Sequence, residues 1–133
     1  MKNMAVIKYG LSDAEYEIME YVWKQEGEVI FKDVMAYLQE RGHEWKKQTV
    51  QTFLTRLIDK KALHAEKRGN KAYYTPVMTE AQYRACWIEN FLDDNFGGKI
   101  TNFVCAFNSG DKLKEEDIKE LEEFLNKLSA QSK

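Results

Sequence analysis

One stretch constrains the fold of this chain more than any other: residues 45–76, WKKQTVQTFLTRLIDKKALHAEKRGNKAYYTP. Val50, Phe53, Leu54, Leu57 and Ile58 recur at helical spacing and so share one face. The opposite face carries Gln48, Thr52, Thr55, Arg56 and Asp59, flanked by Thr49 and Gln51. A helix that only packs has little use for so many hydrogen-bonding groups, whereas glutamine, threonine and arginine side chains can read base edges in a major groove. The spacing predicts a helix over 45–60. After it, residues 62–67 and 71–75 read as two strands around Gly69-Asn70. Gly-Asn supplies the positive-φ positions of a hairpin turn, and Pro76 ends the second strand. Lys67, Arg68 and Lys71 rim the turn. A helix leading into a basic hairpin is the pattern of a winged helix-turn-helix.

Charge supports that pattern. Residues 41–71 hold nine bases and three acids, a net charge of +6 within a chain whose net charge is −2. A basic stripe in an acidic chain is the electrostatic footprint of a nucleic-acid site. Lys46 and Lys47 stand where the helix begins, with no Ser, Thr, Asp or Asn to cap it. Cations there are unfavourable by roughly 0.3–1 kcal/mol each, and a docked phosphate reverses the sign. The competing reading is a solvated basic surface on an ordinary helix.

The 133 residues suit one domain, or two small ones sharing a core, and the single proline suits a mostly helical chain. Cys86 and Cys105 lie in apolar helical surroundings without C-x-x-C spacing, so they are expected to be reduced core thiols of a cytoplasmic protein. His43 and His64 are isolated and read as surface or packing residues, not metal ligands. Residues 1–10 contain no signal-like apolar region, and no run reaches membrane-spanning length. There is no glycine-rich phosphate loop, metal-ligand cluster or nucleophile–base pair, so neither a cofactor nor enzymatic activity is expected.

In chain order, residues 1–10 form an arm in which Val6, Ile7 and Tyr9 can pack locally. Ser12 and Glu15 make a capping box, with Leu11 and Tyr16 as a hydrophobic staple, opening a helix to about residue 24. Its buried face is Ile18, Met19, Val22 and Trp23. An extended Val29-Ile30 precedes a second helix over 31–39, for which Ile30 cannot act as a cap. The helix over 45–60 is then the third, the one that enters the major groove in such folds. Thr79 and Gln82 form another capping box before a helix to about residue 95, with Tyr83, Trp87, Ile88, Phe91 and Leu92 as its apolar stripe. Helices over 99–107 and 114–128 follow. Residues 77–133 are few for an independent core, yet they carry many large apolar side chains and a net charge of −4.

The expected fold is therefore mainly α with a small β-hairpin wing (α+β). A winged-helix DNA-binding domain spans 1–76, and a three-helix dimerisation domain spans 77–133. Trp87, Phe91, Phe103, Val104, Phe107, Leu121, Phe124 and Leu125 are the candidate dimer interface. The alternative is that these helices fold back on the first half within a monomer. A twofold homodimer would match a pseudo-palindromic site.

LSDAEYEIMEYVW at 11–23, TVQTFLTRL at 49–57, GNKAYYTP at 69–76, FGGKITNFVCAFNSGDKL at 96–113 and IKELEEFLNKL at 118–128 together carry a resemblance. The chain resembles the penicillinase-repressor (BlaI/MecI) family of bacterial transcriptional repressors over nearly all of 11–128. The resemblance implies a dimeric repressor on an operator near its own gene or a neighbouring resistance gene, controlling an antibiotic-resistance or stress operon. It also implies a membrane-bound sensor protease that acts indirectly and triggers cleavage at an Asn-Phe bond. Asn102-Phe103 stands in the matching place and is the candidate bond; the alternative is that Phe103 is a core aromatic. The copper-responsive branch ends in a C-x-C motif, which the tail KLSAQSK lacks, so a metal-responsive repressor of that kind is disfavoured. Ile30 stands where the family commonly has Ser or Thr, and Lys46, Lys47, Gln48 and Gln51 are this chain's own choices on the reading helix.

The resulting assignment puts Gln48, Gln51 and Thr52 on base edges, with Thr49 and Thr55 beside them or on phosphates. Lys46, Lys47, Arg56, Arg68 and Lys71 neutralise phosphate on a double-stranded operator. The rival reading is a winged-helix protein-interaction module that never touches DNA.

Overall fold

The computed structural model describes residues 8–132, and Val6 and Ile7 lie outside them. Helix α1 (Asp13–Lys24) begins at the expected capping box. The Glu15 N–H donates to Ser12 Oγ at 3.2 Å and the Ser12 N–H to Glu15 Oε1 at 2.9 Å. Ile18, Met19 and Val22 are fully buried. Trp23 is half-buried and donates its Nε1–H to the Met78 carbonyl at 3.1 Å.

Strand β1 (Val29–Ile30) leads into α2 (Phe31–Glu40), whose N-cap Ile30 makes no side-chain cap bond. Helix α2 ends in a Schellman motif. Gly42 takes a φ of +90°, which places the His43 N–H 3.1 Å from the Leu38 carbonyl and the Gly42 N–H 3.0 Å from that of Gln39. This reversal delivers the chain to α3 (Lys47–Asp59), slightly shorter than the spacing predicts, with Lys46 as N-cap. Helix α3 buries Val50, Leu54 and Leu57. Ile58 is 36% exposed, because it lies roughly 90° around the helix from that buried row.

Strands β2 (Leu63–Arg68) and β3 (Lys71–Pro76) form the hairpin, with Arg68 directly opposite Lys71. Gly69 takes a φ of +63°, but Asn70 does not share the positive-φ region. The turn therefore follows the type II′ pattern, with one positive φ at the first central position, and not the two that a Gly-Asn pair suggested. Val29-Ile30 also joins the sheet, pairing antiparallel with β3 through Val29↔Tyr74 and Ile30↔Tyr73, so the strand order is β1-β3-β2.

Packing divides the chain into two compact units, Met1–Ile88 and Glu89–Lys133. In the first, α1, α2, α3 and the sheet enclose a core whose buried apolar residues all lie between Leu11 and Tyr83. Helix α4 (Glu80–Phe96) starts at the Thr79–Gln82 capping box and packs Tyr83 against Trp23, ring centroids 5.9 Å apart. The second unit holds the end of α4, α5 (Ile100–Asn108) and α6 (Glu115–Gln131). Phe91, Phe96 and Phe103 cluster there with centroids 5.5 to 6.3 Å apart. None of its described residues is buried. Cys86 and Cys105 are both exposed, not core thiols as their apolar sequence surroundings suggested. Helix α4 buries only Tyr83 and α5 buries no residue, so apolar neighbours in sequence do not enclose the two thiols.

Candidate nucleic-acid interface

All ten candidate contact residues, Lys46, Lys47, Gln48, Thr49, Gln51, Thr52, Thr55, Arg56, Arg68 and Lys71, are exposed. Gln48, Gln51, Thr52, Thr55 and Arg56 line one shallow concavity on α3. The helix is about 20 Å long, and its width suits a major groove about 12 Å across. Thr52 Oγ1 donates to the Gln48 carbonyl and Thr55 Oγ1 to that of Gln51, each at 3.0 Å. Both hydroxyl protons are thus committed to the helix, leaving the oxygens as acceptors and the methyls as apolar contacts. The Gln48 and Gln51 amides offer both donors and acceptors.

The start of α3 has an extended N-cap, Lys46 (φ −76°, ψ 160°), with no side-chain cap bond and no acid in the first turn. Its first-turn N–H groups therefore meet Lys46 and Lys47 at one anion-favouring end. What precedes this end is fixed to α1. The His43 ring stacks on Trp45 with centroids 3.9 Å apart, and Trp45 meets Phe53 edge-on at 5.1 Å. Glu17 of α1 sits 2.9 Å from His43 Nε2 and accepts from Arg41 Nε at 2.5 Å. That carboxylate holds the Arg41 guanidinium above the usual arginine range. The other end of α3 is tied as well. Lys60 donates to Glu15 Oε1 at 2.5 Å and to the Gly10 carbonyl at 2.8 Å.

These ties narrow the basic stripe. Among the nine bases of residues 41–71, Arg41, Lys60 and Arg68 are engaged by carboxylates. Lys46, Lys47, Arg56, Lys61, Lys67 and Lys71 have no ion-pair partner among the described residues. Arg68 is the most heavily engaged. It meets both oxygens of Glu28, donates to Glu66 Oε2 from Nη2 at 2.9 Å and from Nε at 3.2 Å, and lies 4.6 Å over the Tyr73 ring. Glu28 and Glu66 together raise its pKa. Sequence reasoning missed Glu17 and Glu28, because a carboxylate tens of residues away gives no local signal.

Of the candidate interface residues in the second half, Phe103, Phe107, Leu121, Phe124 and Leu125 are exposed, and Phe91 and Val104 are half-buried. Trp87 is half-buried against Tyr9, with ring centroids 5.8 Å apart. Asn102 and Phe103 lie in the first turn of α5, where both N–H groups point to the Lys99 carbonyl and Asn102 Nδ2 donates to the Phe96 carbonyl at 3.0 Å. Among the described residues no metal-binding group of carboxylates, histidines or cysteines assembles, and no helix is long and apolar enough to cross a membrane.

A family model described as penicillinase repressor matches residues 11–127. The chain is 35% identical over 115 residues to the penicillinase repressor of Bacillus licheniformis, covering 86% of this chain and 88% of the relative. It is 28% identical over 120 residues to the methicillin resistance regulatory protein MecI of Staphylococcus aureus, covering 90% and 95%. Among solved structures it is similar to the DNA-binding domain of the repressor BlaI, at 37% identity and a TM-score of 0.49, covering 59% of this chain and 94% of that one.

Proposed function

The chain belongs to the penicillinase repressor family, and from that membership we propose that α3 reads a DNA operator while the uncapped start of α3 and the wing grip its phosphates. The protein is a DNA-binding transcriptional repressor and not an enzyme. The observation that carries the reading is the exposed concavity of Gln48, Gln51, Thr52, Thr55 and Arg56 beside Lys46 and Lys47. Gln48 and Gln51 address base edges, Thr52 accepts a bond or offers its methyl, and Thr49 and Thr55 stand beside them or on phosphates. Lys46, Lys47, Arg56 and Lys71 neutralise phosphate; Arg68 joins them only by giving up Glu28 or Glu66.

In this reading the repressor is a cytoplasmic homodimer. The exposed apolar residues of α5 and α6 support it, since a second copy of the same acidic, apolar helices buries them on both chains at once. Inactivation follows cleavage at Asn102–Phe103 under the control of a membrane-bound sensor. The bond's place in the first turn of α5 suits this, because helix ends open at the lowest free-energy cost.

The test is fluorescence anisotropy on the duplex upstream of the protein's own gene against a scrambled duplex, at several salt concentrations. Preference for the native duplex with a steep salt dependence is expected. Gln51→Ala should relax discrimination at one base pair by about 1–3 kcal/mol, whereas Lys71→Ala should weaken both duplexes alike. Absence of binding to any duplex at low salt would leave only the protein-interaction reading.

A further inference from the structure

We infer that Glu28 and Arg68 are positioning residues for the wing, and that Arg68 is not itself a phosphate ligand; the inference rests on the DNA reading above. Arg68 has five N–H donors, and four of them point at Glu28 and Glu66. Its fork is filled by a bidentate carboxylate of the kind that competes directly with phosphate. Glu28 belongs to the turn between α1 and β1, and Arg68 to the far end of β2, so the pair joins the body of the domain to the wing tip.

The backbone alone ties that tip weakly. Strand β1 pairs with β3 only at Tyr73 and Tyr74. Beyond Tyr73 the wing is a two-stranded ribbon, a form that is marginally stable and variably twisted on its own. Arg68 sits directly across from Lys71 in that ribbon, and Lys67 precedes it. Pinning Arg68 to Glu28 and over Tyr73 therefore sets where the backbone presents the Lys71 side chain. An exposed ion pair contributes little to global stability, so its effect falls on placement.

The experiment measures binding of the full-length chain to the upstream duplex across a salt series. The variants are Glu28→Gln, Arg68→Gln, the double variant, and Lys71→Ala alone and in the Glu28→Gln background. Removing an acid raises net charge, which by itself favours DNA. Against that bias, Glu28→Gln is expected to bind roughly five- to tenfold more weakly, with a salt slope lower by about one as the Lys71 contact is lost. Arg68→Gln should match it, the double variant should be no worse than either, and Lys71→Ala should cost little in the Glu28→Gln background. The melting temperature should move by only a few degrees. Tighter binding by Glu28→Gln with a steeper slope would show Arg68 released onto phosphate and would overturn this inference alone. Unchanged affinity, or a fall in melting temperature without loss of affinity, would do the same. If the unmodified chain binds no duplex at low salt, the DNA reading and this inference fall together.

Discussion

Glu15 is 1% exposed, yet it is a carboxylate. Burial pushes its pKa up, but the Lys60 ammonium and the Ser12 N–H and hydroxyl outweigh that and hold it below the usual carboxylate value. A pKa depressed by folding contributes stability that is present above the unfolded value and lost as pH falls through the folded one. Glu15→Gln is therefore expected to destabilise the first unit at neutral pH by about 1–3 kcal/mol, at the lower end because Lys60 is itself partly solvated. The difference should shrink on acidification, as thermal melts between neutral and acidic pH would show. A constant difference across that range would mean that packing, not charge, is what Glu15 provides. Half of this residue's role was legible: the Ser12–Glu15 box is spelled out in four consecutive positions. The Lys60 half was not, since its partner lies 45 residues away. The same holds for Arg41, whose partner Glu17 a count of local charge cannot see.

Elements whose ends are written in capping residues and whose faces repeat at helical spacing emerged close to their observed bounds. Helices α1 and α4 each start at a capping box, and α3 and the hairpin fall within a residue or two of the predicted spans. The end of α3 was harder to read. It turns on Lys61 at φ +63°, a conformation usually given to glycine, with the Ala62 N–H returning to the Leu57 carbonyl at 3.0 Å. Val29-Ile30 was legible as extended, but its place in the sheet was hidden, because two residues carry no alternation that could name β3 as their partner. Helix α6 shows the opposite limit. Its apolar row was plain, but Phe124 and Leu125 are 56% and 58% exposed in the single chain. Leu125→Glu places a charge in that row, and if a second copy covers it, the homodimer should weaken by roughly thirtyfold or more. Sedimentation equilibrium would measure this, and the first unit's thermal unfolding should be unaffected. An unchanged association constant would place the dimer contact elsewhere.

At the scale of the molecule, every buried apolar residue described lies between Leu11 and Tyr83, and the second unit contributes none. A chain ending at Ile88 is therefore expected to unfold cooperatively, with a midpoint within a few degrees of the full chain's. If the second unit pairs two copies as proposed, it should keep its affinity for one half-site and lose about 10²–10⁴-fold on a two-half-site duplex, because tethering would no longer raise the effective concentration of the second reader. Calorimetry and anisotropy on the two duplexes separate these outcomes. Loss of cooperative unfolding would mean that the core needs the second unit after all. A reader that folds without its twin also shapes the response of a gene it controls. If the repressor pairs as proposed, folded single chains persist below the dimer dissociation constant, and a twofold operator far from saturation there fills with the square of protein concentration. Halving the pool, by dilution at cell division or by the proposed cleavage, would then reduce occupancy about fourfold, so in such a dimer the division of the core would set how sharply the regulated genes switch on.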